Sequence, residues 1–377
     1  MQPILKFDMS VREWLTNKSI FITGTTGFVG KVLLEKILRE VKSFRTIYLL
    51  VRSKPKMTLQ QRVTQEILAS KLFIPLFTER PELLPSLREK IVPVYGDLMQ
   101  EGLGMSPKDR QMVVDDADVF ISSAASINFN DPIPDALQVN YYGARRVLEL
   151  AKESKRVECL VHISTVFVNS DLKKNTFIKE EMREWKDYEE VVAQAEQIFP
   201  PDDVVKNEKF LKQYNFTNSY TLTKNLAEQH LYKYRGNMRL AIVRPSIILG
   251  TYKYPFEGWV DTVSAFGTVC LPLGLGIAPA EDFDGKDFPF DLIPTDYVVN
   301  AVLVAGCYAA NTPQPEFNMF QSSSSVMNTA KCSTYMQAAL EYMEKNPYKK
   351  APTKINGYVP VTNHEDKKSH YKWMLAK

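Results

Sequence analysis

The chain is poor in the residues that cross-link or metallate a protein. Its four cysteines, Cys159, Cys270, Cys307 and Cys332, are widely separated along 377 residues, which excludes a disulfide framework and fits a reducing compartment. The four histidines, His162, His230, His364 and His370, offer no metal-ligand spacing, so no metal is expected, and His162 reads as a core residue inside a strand. No apolar run reaches the roughly 18 residues of a membrane span, and no signal peptide is recognisable. An excess of one charge is missing too. With 47 Lys plus Arg against 44 Asp plus Glu and no long basic tract, nothing in the sequence provides a footprint for nucleic acid. The Gly-Lys-Ser/Thr ending of a P-loop is absent, which argues against a nucleotide triphosphatase.

What is present begins at Ser19. Ile20-Phe-Ile predicts a short buried strand, and an amphipathic helix follows through Val32-Leu-Leu. Between them lie Gly24, Gly27 and Gly30 in the pattern G-x-x-G-x-x-G, enclosing Thr26, Phe28 and Val29. Glycine there permits a tight turn and close backbone approach to a pyrophosphate, while the helix start supplies free N–H groups and a favourable dipole. The second strand, Thr46 to Val51, ends at Arg52 rather than at an acidic residue. Arg52 could face a ribose 2′-phosphate, favouring NADPH over NADH, or belong to a solvated basic loop with Lys54 and Lys56. A third strand runs into Asp97, a partner for the adenine amino group or a local cap. A fourth leads to Ala124 and Ala125, small enough to let the nicotinamide end lie against the backbone.

The fifth strand ends at Ser164 and Thr165, where ligands gather in a parallel sheet. Thr165 is the preferred donor to a substrate carbonyl, with Ser164 its competitor. Further on, Tyr220 and Lys224 are four residues apart on one expected helix face. The ammonium could lower the pKa of the phenol toward the working pH and hold a ribose hydroxyl; alone, such a pair also arises on solvated helices. Asn140 could hold a water or backbone group behind Lys224, or make a simple buried contact. Pro245 and Ile247, in the turn after a sixth strand, are placed to touch the nicotinamide side.

Strand–helix alternation through residue 165 predicts an α/β fold with a doubly wound, mostly parallel Rossmann-type sheet and a smaller substrate-binding lobe. Residues 1–250 read as the NADP(H)-binding domain, interrupted near 170–215 by a surface insertion containing helix. Residues 251–377 read mainly as the lobe and a C-terminal helical region, with a return to the main sheet near 291–310. The stretch 255–293 suits lobe core or a long hydrophobic channel.

The glycine loop with Thr165, Tyr220, Lys224 and Arg244-Pro245 resembles the extended short-chain dehydrogenase/reductase superfamily. Phe129-Asn-Asp-Pro, His162-Ile-Ser-Thr-Val-Phe-Val-Asn, Arg244-Pro-Ser-Ile-Ile and Pro255-Phe-Glu-Gly-Trp-Val are similar to the fatty acyl-CoA reductases within it. That resemblance, over roughly residues 15 to 310, implies NADPH-dependent reduction of a long-chain acyl-CoA to a fatty alcohol through an aldehyde, with release of coenzyme A. In it Thr165 and Tyr220 polarise the carbonyl, and Lys224 orients the nicotinamide ribose. It also implies an intracellular protein, cytoplasmic or peripheral to peroxisomal or endoplasmic-reticulum membranes, and leaves homodimer formation open. A carrier-bound thioester reductase, a sugar-nucleotide epimerase or dehydratase, a hydroxysteroid dehydrogenase and a non-catalytic NADPH sensor are the alternatives.

Overall fold

Strands buried on both faces are near-continuous apolar runs, and five of the first six here answer to that description. β1 (Ser19–Thr23), β2 (Thr46–Val51), β3 (Ile91–Tyr95), β4 (Val119–Ser122), β5 (Cys159–Ile163) and β6 (Leu240–Pro245) are joined by β9 (Phe317–Ser322) in one sheet. β1, β4 and β6 are buried throughout, whereas β3 is half-open along its length. The computed structural model describes residues 9–173, 175–261, 267–268, 270–271, 275, 288–312, 317–328 and 330–347. The order is β3-β2-β1-β4-β5-β6-β9, and every neighbouring pair is parallel. Strand order reverses beside β1, whose Ile20 lies between Ile47 of β2 and Val119 of β4, so a crevice opens at the carboxyl ends of β1 and β4.

Alternation divides the core into two layers. Ile20, Ile22 and Val161 face the helices Phe28–Glu40 and Thr295–Asn311, packing against Leu33, Leu34, Ile37, Val299 and Val302. Phe21, Phe120 and Leu160 face the helices Gly143–Glu153 and Ser219–Tyr234, meeting Val147, Leu148, Ala227 and Leu231. Truncating a fully buried ring such as Phe120 to alanine would cost about 3–5 kcal/mol.

The chain divides into two compact units. The first comprises Met1–Ser246, Gly250–Trp259 and Pro294–Ser322 and contains the whole seven-stranded sheet. The segment 170–215 lies within it and has an apolar side beneath its charges. Tyr188, Val191, Val192 and Ala195 on the helix Tyr188–Glu196, with Phe210 on Val204–Gln213, pack on Ile133, Leu137, Leu222 and Leu226. Trp259 of the Pro255-Phe-Glu-Gly-Trp motif is also core in this unit, its ring centroid 5.4 Å from that of Phe28. The second unit, Ile247–Leu249, Val260–Ile293 and Ser323–Lys377, holds β7 (Ile247–Leu249) and all but the last residue of its partner β8 (Leu292–Pro294). Its helix Cys332–Lys345 buries Cys332, Met336, Leu340 and Met343 in a cluster of its own. Most of the 260–287 stretch and all of 348–377 lie outside the described residues, and with them any channel expected there. Among the described residues no helix is long and apolar enough to cross a membrane, and no group of His, Cys, Asp and Glu could hold a metal.

Candidate active site

The turn after β1 is made of backbone. Gly24 takes φ +80°, and a methyl group on it would meet the Ala124 amide nitrogen at 2.7 Å. A methyl on Gly30 would lie 2.2 Å from the Gly24 carbonyl oxygen, so the helix Phe28–Glu40 sits directly on the turn. Gly27 caps that helix without a side-chain hydrogen bond, leaving the helix start open to an anion. Thr26 and Gly27 are exposed on the turn, Phe28 and Val29 half-buried behind it. The Thr23 hydroxyl accepts from the Ser123 and Ala124 amides at 3.1 and 3.0 Å, joining the ends of β1 and β4 and bringing Ala124 and Ala125 beside the glycines. The buried Thr25 hydroxyl has no hydrogen-bond partner. A cradle that admits no Cβ, an uncapped helix start and an orphaned hydroxyl together fit the pyrophosphate of a dinucleotide.

Arg52 is exposed just past β2. Of its basic neighbours, Lys54 is committed to Glu66 at 2.6 Å. Asp97, just past β3, is half-buried and accepts from the Met99 amide at 3.0 Å. Ile247 belongs to the second unit, where its amide donates to the Asp291 carbonyl at 3.3 Å.

Around the helix Ser219–Tyr234 the surface is made of side chains instead. Asn218 caps it by accepting from the Thr221 amide at 2.9 Å, so Tyr220 falls in the first turn and Lys224 one turn later. Lys224 is 1 % exposed; its Nζ donates to the Ile163 carbonyl at 2.7 Å and meets His162 Nε2 at 3.0 Å. His162 Nδ1 in turn lies 3.2 Å from Ser122 Oγ. One turn beyond Lys224, Glu228 binds Arg244 through two contacts, 3.0 and 2.5 Å, with both side chains almost wholly buried. Arg244 precedes Pro245, whose carbonyl accepts from the Thr165 hydroxyl at 3.3 Å. Thr165 also lies near enough to Tyr220 to favour its phenolate slightly. Ser164, the alternative donor, has a buried hydroxyl without a partner. Asn140 accepts from the Ser126 amide at 2.9 Å and donates to the Ser126 carbonyl and the Thr223 hydroxyl, both at 3.1 Å.

Thr165, Tyr220, Lys224 and Pro245 are thereby linked at the carboxyl edge of β5 and β6. The electrostatics differ from the sequence-based expectation for the phenol. Burial pushes Tyr220 up to about 12, and the nearby Thr165 hydroxyl only partly offsets it, because the Lys224 ammonium points at Ile163 and His162. Lys224 itself is pushed down to about 8 by burial, with Glu228 pulling the other way. His162 is held well below the usual imidazole value, by burial first and then by the Lys224 charge. Glu228, Ser122 and His162 join the site although none of them is a sequence-based candidate for it. A signal existed for Glu228, which continues the four-residue spacing of Tyr220 and Lys224.

A glycine cradle at the strand-order reversal, with a half-buried tyrosine and a buried lysine on one helix one strand further along, is the arrangement of a dinucleotide-dependent oxidoreductase on a Rossmann sheet. Residues 22–302 match an NAD-binding family described as male sterility protein. Human fatty acyl-CoA reductase 2 is 34 % identical over 348 residues, covering 90 % of this chain and 64 % of that protein. Mouse fatty acyl-CoA reductase 1 is 35 % identical over 309 residues, covering 81 % and 58 %. The chain belongs to the fatty acyl-CoA reductase family, and it spans under two thirds of the length of these two relatives. Among solved structures, the terminal R domain of the myxalamid PKS-NRPS pathway superposes with TM-score 0.62 at 24 % identity, over 86 % of this chain and 70 % of that one. A thiolation-reductase di-domain from an archaeal non-ribosomal peptide synthetase gives TM-score 0.62 at 18 % identity, over 96 % and 64 %. At these identities the likeness is one of fold.

Proposed function

We propose that the protein reduces a long-chain fatty acyl-CoA to a fatty alcohol through an aldehyde, using NADPH and releasing coenzyme A. The observation that carries this reading is the convergence of Thr165, Tyr220 and Lys224 at one sheet edge in a chain whose relatives are fatty acyl-CoA reductases. Gly24, Gly27, Gly30 and the start of the following helix would hold the pyrophosphate, with Ala124 and Ala125 alongside. Arg52 would meet the 2′-phosphate, Asp97 the adenine, and Pro245 the nicotinamide side. When bound, the dinucleotide supplies hydride to the thioester carbon and then to the aldehyde carbon.

The chain's own residues handle the oxygen and its proton. A phenol pushed up to about 12 remains protonated at neutral pH, so Tyr220 is an acid, which is what reduction of a carbonyl requires. In the thioester step the oxyanion, held by Tyr220 and Thr165, re-forms the carbonyl as the C–S bond breaks and the coenzyme A thiolate takes up a proton. In the aldehyde step the Tyr220 proton stays on the oxygen and gives the alcohol. The Thr165 hydroxyl, on a long 3.3 Å contact to the Pro245 carbonyl, can turn to donate to the same oxygen. Lys224, whose ammonium already donates to the Ile163 carbonyl, would hold a ribose hydroxyl with a remaining N–H.

The test is NADPH oxidation with a long acyl-CoA, with products identified by mass spectrometry and with NADH and substrate-free reactions as controls. Alcohol, or aldehyde with free coenzyme A, is the expected result. No product over saturated and unsaturated chains, with NADPH binding intact, would overturn the acyl-CoA reading and direct attention to carrier-bound thioesters.

A further inference from the structure

The space against the Lys224 ammonium is filled by a residue that the spacing of the sequence does not nominate. Asn140 spends its amide on Ser126 and Thr223, whereas His162 Nε2 stands 3.0 Å from Lys224 Nζ. An ammonium has no acceptor, so while Lys224 is charged it donates and His162 Nε2 must be the bare ring nitrogen. The ring proton is then on Nδ1 and is given to Ser122 Oγ at 3.2 Å. This tautomer is the one that parallel pairing sets up, since Ser122 and His162 are register partners on β4 and β5. An imidazole 1 % exposed between apolar layers is a costly way to fill space that leucine would fill.

We propose that His162 is a positioning residue for the reaction: its Nε2 lone pair, presented by the Ser122 contact, fixes the place and the charge of the Lys224 ammonium. The proposal rests on the reading of Lys224 as the ribose partner. The titratable and charged groups around Lys224 are Tyr220 and Glu228 on its own helix, His162 on β5 and, through Glu228, Arg244 on β6. Glu228 makes its close contacts with Arg244 and acts on Lys224 only through space. Hence the acceptors left to sustain the ammonium are the Ile163 carbonyl and His162. Losing one of them disfavours the charged form, so the pKa of Lys224 falls further below about 8.

Two substitutions separate this role from a structural one. The amide of glutamine reaches the position of imidazole Nε2, and that of asparagine the position of Nδ1. H162Q therefore keeps the contact with Lys224, and H162N keeps only the contact with Ser122. The readouts are the pH dependence of NADPH affinity, followed by fluorescence without substrate, and the pH profile of turnover; melting curves establish that both variants fold. In H162N the alkaline midpoint of both profiles is expected about one pH unit lower than in the wild type, with H162Q close to wild type. Equal midpoints in all three proteins, or a shift in H162Q as large as in H162N, would overturn the proposal. Should the wild type bind NADPH yet reduce no thioester, the substrate reading fails while the affinity profiles still decide the role of His162.

Discussion

At the glycine turn the surface offered to a ligand is backbone and empty space, whereas around Lys224 it is a buried mesh of side chains drawn from a helix and three strands. The turn occupies seven consecutive residues, Gly24 to Gly30. The mesh collects Ser122, His162, Thr165, Tyr220, Lys224, Glu228 and Arg244 from across the chain. The first depends on what is not there, since a Cβ at Gly30 would strike the Gly24 carbonyl. The second depends on each buried polar group finding its partner. A backbone site tolerates changes around it but none within; a side-chain site distributes its risk over residues far apart in sequence.

Substitutions can break this contrast in graded steps. Tyr220→Phe removes the acid itself and is expected to lower turnover by about 10²–10⁴-fold while leaving NADPH affinity near wild type. Turnover by steady-state kinetics and binding by fluorescence titration check the two halves, and unchanged turnover would remove Tyr220 from the chemistry. Next, Glu228→Gln strands the buried Arg244 guanidinium and should cost about 3–5 kcal/mol in urea unfolding, part of which the double substitution with Arg244→Met restores. Additive losses would mean that the pair is not coupled. On the other side of the comparison, Gly30→Ala should weaken NADPH by at least about tenfold, because the helix must lift off the turn. A normal dissociation constant would show that the cradle yields. The smallest effect is expected for Arg52→Ala, a roughly tenfold loss of NADPH affinity with NADH unchanged. Equal loss for both dinucleotides would remove Arg52 as the phosphate contact.

The same contrast explains what could be read from the sequence. The parallel sheet through β6 was legible because buried strands announce themselves as apolar runs such as Ser19–Thr23 and Leu240–Pro245. The glycine turn was legible because it is local. β9 was not: Phe317-Asn-Met-Phe-Gln-Ser mixes apolar and polar residues and has no motif, and its partner β6 is about eighty positions upstream. Nor was the apolar side of the 170–215 segment, where Val191, Val192 and Ala195 are outnumbered by charged neighbours. The Pro255-Phe-Glu-Gly-Trp stretch reads as lobe or channel, yet Trp259 is core of the first unit beside Phe28. Lys224 was recognisable from spacing, but the direction of its ammonium depends on His162, 62 residues away. For Tyr220, the expected downward shift required the ammonium to face it, and burial prevails instead.

The pairing of Ser122 with His162 across β4 and β5 ties the chemistry of the site to the alignment of the sheet. Side chains alternate between faces along a strand, so a slip of one residue would send His162 to the face now held by Val161 and Ile163. An apolar side chain would then stand under the ammonium. The central sheet thus carries information as well as load: its registration by single residues decides which atom Lys224 meets, and an error of about 3.3 Å along β5 would be a chemical error before it was a mechanical one.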